Sequence, residues 1–223
     1  GIDATQALTT GKWTVNYTYK LTGGQEHTTD NGATGGAGAT GKDDSLNGTI
    51  DITVTDATGD GYKSSLTVKV HDDGPKVTVA TDENPLLSVD ESGLVSGSVV
   101  TGVQYTTNVA SNFTVNAGAD GEASRSYTLL LDSAVNEGLQ AIIGGQAYDV
   151  TLSLNEEGNR ISGMADGKEV FYVAVDGKGN VTLTLRNNVS LSHPASTSAD
   201  DLSLNGMGVK LTVTDKDGDI SSG

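Results

Sequence analysis

Cysteine is missing from this 223-residue sequence, which excludes a disulfide framework, thiolate metal ligation and cysteine nucleophiles together. Basic residues are scarce: 13 Lys and Arg stand against 29 Asp and Glu, a formal net charge of −16. Nucleic acids and anionic membrane surfaces are bound mainly through Lys and Arg, so both are disfavoured as partners. No apolar run approaches the ~20 residues of a membrane span. The opening GIDATQALTT has neither a basic n-region nor an apolar h-region, so the expectation is a soluble fragment or mature segment. Aromatics make up 4% and the apolar set 35%, a share that alone points toward disorder. Thirty glycines bring apolar plus Gly near the usual globular share of about 45–50%. A Gly-rich, acidic, aromatic-poor chain with clear patterning is expected to be all-β, with many turns and a need for cations to offset self-repulsion.

What is present is alternation. In KWTVNYTYKL the residues Trp13, Val15, Tyr17, Tyr19 and Leu21 fall on one side, and in TIDITVTD so do Ile50, Ile52 and Val54. SLTVKVHD repeats the period through Leu66, Val68 and Val70, and GVKLTVTD through Val209, Leu211 and Val213. Period two with Val, Thr and Tyr enrichment, punctuated by Gly, Asp and Asn, predicts antiparallel strands with one buried face. DSAVNEGLQ, Asp132 to Gln140, is the best helix candidate. The stretch 22–44, crowded with Gly and without period, reads as a long exposed loop or a disordered excursion.

An internal repeat organises the chain. DDSLNGTIDITVTDATGD (43–60) recurs as DDLSLNGMGVKLTVTDKDGD (200–219), the two TVTD elements being offset by 215 − 56 = 159 residues. Between the copies, His71-Asp72-Asp73-Gly74-Pro75 interrupts one strand pattern and Val77 opens another, which marks a module boundary. Two modules are therefore expected, at 1–75 and 76–223. The first is either complete or split. The second copy of the repeat reaches Ser221-Ser222-Gly223 without an equivalent closing strand, which suggests a cut inside a tandem array.

The acidic residues concentrate in three places. TDKDGD carries Asp215, Asp217 and Asp219. TDATGDG carries Asp56 and Asp60 and is followed by Asp72 and Asp73. ATDENPLLSVDES carries Asp82, Glu83, Asp90 and Glu91. Calcium takes 6–8 oxygen ligands, and carboxylates spaced closely around a Gly turn supply several from one segment. A lone Asp-Gly turn also reads as a solvated hairpin; its recurrence beside further acids favours the cation. An EF-hand does not fit. From Asp215 the glycine falls at loop position 4, and from Asp56 position 12 is Thr67, with strands on either side. GAGATGK (36–42) imitates a P-loop, but Asp43 stands where the metal-binding hydroxyl belongs and no helix pattern follows. His27, His71 and His193 sit in no recognisable nucleophile or zinc motif, so an enzyme is not expected.

The runs GADGEASRSYTLLLD (118–132), EEGNRISGMADGKEVFYVAVDGKGNVTLTLRNNVSLSHP (156–194) and DDLSLNGMGVKLTVTDKDGD resemble the tandem modules of repeats-in-toxin (RTX) adhesins, giant bacterial surface proteins exported by type I secretion. The resemblance covers most of 76–223 and the second half of 1–75. It implies tandem immunoglobulin-like, Greek-key β-sandwich modules, with calcium at their junctions and loops. Carried over, the closing-turn acids are Asp56, Asp60, Asp215, Asp217 and Asp219, the junction acids are Asp72 and Asp73, and Asp90 and Glu91 are partners from the next module. Thr58 replaces the middle acid of the first turn. The implied role is a calcium-stiffened extender that projects adhesive domains in adhesion and biofilm formation, secreted and held at the bacterial cell surface. Its expected partners are neighbouring modules of the same chain, with host-cell or biofilm surfaces reached through other domains, and the chain itself is expected to be a monomer. The alternative is a glycan- or host-protein-binding module using loop 22–44.

Overall fold

The structure, a computed structural model, describes residues 2–6, 13–23, 45–71, 73–80, 102–132, 139–187, 189–192, 206–216 and 218–223. Among these residues the chain is a β protein whose only helical turn is a 3-10 segment at Ala110–Asn112. No described helix is long and apolar enough to cross a membrane.

Residues from 76 onward build a β-sandwich. One layer is a five-stranded antiparallel sheet in the order β11 (Thr151–Leu154), β12 (Arg160–Ala165), β13 (Lys168–Val175), β14 (Asn180–Leu185) and β6 (Gln104–Asn108). The other layer places β16 (Met207–Asp215) between β8 (Glu122–Leu131) and β17 (Ile220–Ser222). The ribbon of β5 (Lys76–Val79) and β7 (Phe113–Asn116) packs beside it through contacts of β5 with β16 and β17. A third small sheet joins β10 (Gln146–Asp149), β9 (Gln140–Ile143) and β15 (Val189–Leu191).

The alternation in the sequence becomes the core directly. Ile161 and Ala165 of β12, Phe171, Val173 and Val175 of β13, and Val181, Leu183 and Leu185 of β14 are buried, and they face Tyr127, Leu129, Leu211 and Val213 of the opposite layer. A register shift at Gly163/Met164 leaves Val170 as an extra residue on β13, so the neighbours Val170 and Phe171 are both fully buried. Such a bulge breaks strict period two without breaking the sheet. Gly163 is required there, because a Cβ would lie 2.5 Å from the Phe171 ring.

After the second closing turn, β17 pairs with Thr212–Thr214, and Gly223 and Leu211 exchange backbone hydrogen bonds of 2.9 and 3.0 Å. Two further expectations are narrowed. The helix expected over Asp132 to Gln140 falls mostly on residues outside the description, and its last residue, Gln140, begins strand β9.

The expected sandwich at 1–75 is seen as two separate ribbons, β1 (Ile2–Gln6) with β2 (Trp13–Tyr17) and β3 (Ser45–Thr55) with β4 (Gly61–His71). No residue of 1–75 whose burial is described is buried, because among the described residues no second layer lies over the β3–β4 ribbon. Most of loop 22–44 lies outside the described residues.

Candidate functional site

The acidic turns obey one construction, and it occurs four times. At the β3–β4 turn the Asp56 N–H donates to the Asp60 carbonyl (2.9 Å). Asp56 Oδ1 in return accepts the N–H groups of Thr58 and Asp60 (both 2.9 Å) and the Thr58 hydroxyl (2.8 Å). Gly59 completes the turn at φ +94°. Asn155 does the same for Asn159 and Arg160 (both 3.0 Å) with Gly158 at φ +69°. Asp176 receives the N–H groups of Lys178 and Asn180 (2.8 and 2.9 Å) with Gly179 at φ +77°. Asp215 receives those of Gly218 and Asp219 (3.0 and 2.7 Å) with Gly218 at φ +109°.

A turn followed by a left-handed Gly is a favoured hairpin closure, and an Asx side chain that caps its amides fixes it. The Asp or Asn that opens each turn is thus first a turn-former. The Thr58 hydroxyl, the Asp60 amide and the Thr58 amide hold the Asp56 carboxyl below its ordinary range. The Asn180 side chain and backbone amide do the same for Asp176. The turns at Asn155 and Asp176 lie outside the three acidic runs that stand out in the sequence. The signal that finds all four is Asp/Asn-x-x-Gly-Asp/Asn, as in DATGD, NEEGN, DGKGN and DKDGD.

The structure separates two groups that the sequence places close together. Asp56 and Asp60 sit at the far tip of the β3–β4 hairpin, and the 11-residue strand β4 puts about 30 Å between that tip and the module boundary at a strand rise of about 3.3 Å per residue. They form no common site with Asp73. The second closing turn, distant in sequence, is the one that meets the boundary. Both carboxylate oxygens of Asp73 lie 3.1 Å from the Ala119 backbone nitrogen. Gly118 (φ +71°) packs so closely that a Cβ on it would stand 2.4 Å from the Asp73 carbonyl oxygen. On the other side, a Cβ on Gly74 would stand 3.1 Å from Asp219 Oδ2, an atom shut off from solvent. Asp215 is 2% exposed, and Lys216 N–H donates to the Gly121 carbonyl (3.1 Å), tying the closing turn to the loop that holds Asp73. The boundary segment is therefore wedged between the 116–121 loop and the 215–219 turn.

Of the expected metal ligands, Asp73, Asp215 and Asp219 come to this junction, whereas Asp56 and Asp60 do not. Asp72, Asp90, Glu91 and Asp217 lie outside the described residues. Among the described residues no group of three or more His, Cys, Asp or Glu side chains is placed to hold a metal ion.

Residues 78–223 match the family described as "Domain of unknown function (DUF5801)". The chain belongs to this family. No curated protein and no solved structure matches the chain. The DUF5801 region begins within β5, so the contacts of Asp73 and Gly74 are made from outside its matched start onto its loops.

A second polar cluster lies on the outer face of the five-stranded sheet of the DUF5801 region. Arg160 bonds both oxygens of Glu169 (2.9 and 2.7 Å), Arg186 bonds the same carboxylate, and Ser162 donates to it at 3.1 Å. Both guanidiniums lie over the Tyr172 ring, 3.6 and 4.9 Å from its centroid. Burial pushes the Glu169 carboxyl up, but the bonds from Arg160, Arg186 and Ser162 outweigh it and the net direction is down. Two of the chain's three arginines are committed here to one carboxylate, an arrangement suited to bracing β12, β13 and the end of β14 against one another.

Proposed function

We propose that the chain is an extender segment of a large calcium-dependent bacterial RTX adhesin, a run of β-sandwich modules whose stiffened junctions hold adhesive domains away from the cell surface. The observation that carries this reading is the wedging of Asp73-Gly74 between the 116–121 loop and the 215–219 turn. A spacer holds distance only if its junctions resist bending. A boundary residue whose side chain and backbone both touch the next module removes the freedom that an exposed linker would keep.

The donor chemistry at this junction is of the hard-oxygen kind that calcium takes: the Asp73 carboxylate lies on the 116–121 side of the boundary and Asp219 Oδ2 lies beside Gly74. Asp73 and Asp219 would supply carboxylate ligands, with backbone carbonyls and water completing the 6–8 oxygens the ion takes. Calcium would supply a crosslink between the boundary segment and the closing turn. Asp215 acts through the turn, its Oδ1 fixing the amides of Gly218 and Asp219 and so the direction in which Asp219 points. Extracellular modules of this kind bind calcium at about 10⁻⁴–10⁻³ M, which suits a chain that folds and stiffens on reaching a calcium-rich exterior.

The test is thermal unfolding and small-angle scattering of the chain with millimolar calcium and with EDTA. Chelation is expected to lower the melting temperature and widen the distribution of lengths. Identical curves in calcium and EDTA would overturn the calcium reading.

A further inference from the structure

The repeat that relates β3 to β16 also relates what should lie beside them. Aligned on TVTD, the positions Ile50, Ile52, Val54 and Asp56 correspond to Val209, Leu211, Val213 and Asp215. In the second copy Leu211 and Val213 are 0% exposed and Asp215 2%. In the first, Ile50 and Val54 are each 37% exposed. The same strand is covered in one place and bare in the other.

The covered copy shows what does part of the covering. β16 pairs along its whole length with β8, in a register that sets Leu211 opposite Tyr127, Thr212 opposite Ser126 and Val209 opposite Leu129. Among the described strands β3 pairs with β4 alone, so the edge that corresponds to the β8 side of β16 is open. An open, apolar-flanked edge of this length is a template for another strand.

A counterpart of β8 exists in the first module. Gly121-Glu-Ala-Ser-Arg-Ser-Tyr-Thr-Leu-Leu-Leu131 aligns without gaps on Gly11-Lys-Trp-Thr-Val-Asn-Tyr-Thr-Tyr-Lys-Leu21, which sets Ser126-Tyr127-Thr128 on Asn16-Tyr17-Thr18, Leu129 on Tyr19 and Leu131 on Leu21. Tyr127 and Leu129 are 5% and 3% exposed. Tyr17, Tyr19 and Leu21 are 54%, 52% and 46% exposed. Two bare strands in one module thus match, position for position, two strands that pair side by side and share one covered face in the next.

We infer that the open edge of β3 is a docking site for the segment Asn16–Leu21 of the same chain, in the antiparallel register that β8 takes on β16. Tyr17 then stands opposite Ile52, Tyr19 opposite Ile50 and Asn16 opposite Thr53. The result is a continuous sheet β1–β2–β3–β4, equivalent along β2–β3–β4 to β8–β16–β17. The aromatic side chains of Tyr17 and Tyr19 lie along Ile50 and Ile52 on one face, the kind of aromatic and β-branched pairing that stabilises antiparallel strands. The polar face carries Asn16, Thr18, Asp51 and Thr53. The inference does not depend on calcium or on an adhesive role.

The absence of native cysteine makes the test clean. In the full chain, Asn16→Cys with Thr53→Cys tests the proposed pair. Thr53→Cys with Lys63→Cys, cross-strand partners in the β3–β4 hairpin, is the positive control. Asn16→Cys with Lys63→Cys places the thiols two strands apart in the proposed sheet, about 9–10 Å by strand spacing, beyond the reach of a disulfide. Under mild oxidation the first pair is expected to lose both free thiols within a monomer, as the positive control does, while the third keeps them. Three results would overturn the inference: a first pair that stays reduced while the control closes, a first pair that closes only between chains, showing that a second copy takes the edge, or a third pair that closes as readily as the first.

Discussion

The Asp73 carboxylate receives the backbone N–H of Ala119, with both oxygens 3.1 Å from that nitrogen. This bond ties residue 73, which precedes the matched DUF5801 region, to a loop within that region. The loop that supplies the N–H is shaped for the purpose. Gly118 adopts a positive φ and has no Cβ, which lets the Asp73 carbonyl approach where any other residue would collide with it.

Replacing Asp73 should therefore loosen the junction more than it destabilises either module. Asp73 is exposed, so Asp73→Ala is expected to cost only about 1 kcal/mol of stability. Amide exchange at Ala119 should accelerate while core amides such as those of Val173 and Leu211 keep their protection. Hydrogen exchange followed by NMR checks this. Uniform loss of protection would mean that Asp73 supports the fold as a whole.

Three of the four Asx-Gly turns give a graded series. Each Gly→Ala change at positive φ carries a conformational cost of roughly 1 kcal/mol. Added contacts then set the order. At Gly179 a Cβ would meet the Tyr127 ring at 3.1 Å, at Gly158 it would touch Thr128 at 3.4 Å, and at Gly59 nothing lies within 4 Å. Melting temperatures should fall most for Gly179→Ala, less for Gly158→Ala and least for Gly59→Ala. Among the described residues the β3–β4 hairpin contributes none to the core cluster, so the Gly59 change should stay local.

Gly163→Ala tests the packing at the β-bulge. The added methyl would overlap the fully buried Phe171 ring, with contacts of 2.5–2.9 Å, and overpacking of this kind costs about 1–3 kcal/mol. The companion change Gly163→Ala with Phe171→Leu, which shortens the opposing side chain, should recover part of the loss. Chemical denaturation of the single and double variants measures the coupling.

The strands were legible because period two needs only a local pattern and one buried face. Leu211 and Val213 are fully buried at the alternating positions that the sequence marks. The bulge at Val170 was not legible, since two adjacent apolar residues carry no sign of which one is the extra. The site was legible only in part. Gly74 and Asp219 are 219 − 74 = 145 residues apart in the chain, and their close approach depends on β5 entering beside β17 and β16, a tertiary fact. Asp60 and Asp73, close in sequence, are held far apart because β4 extends between them. Spacing along the chain reports proximity within a turn and distance within a strand, and residue types alone do not say which applies.

Acid should weaken the fold through Glu169 in a defined direction. The hydrogen bonds of Arg160, Arg186 and Ser162 hold its folded-state carboxyl below its ordinary value of 4.5, so the folded protein binds this proton less readily than the unfolded chain. Stability from the cluster is then fully present above about pH 4.5 and is lost as pH falls through the lower folded-state value. Glu169→Gln keeps the shape, removes the charge and leaves two guanidiniums facing each other over Tyr172. Its cost at pH 7 should be about 1–2 kcal/mol, at the lower end of the range for hydrogen bonds to charged groups, because the two arginine side chains are each 34% exposed. The gap between wild type and variant should narrow as pH falls below 4.5, since protonation of Glu169 makes the two nearly alike. Urea unfolding of both proteins from pH 7 to pH 3 measures that gap, and a gap that stays constant across the range would show that the carboxylate charge is not what the arginines hold.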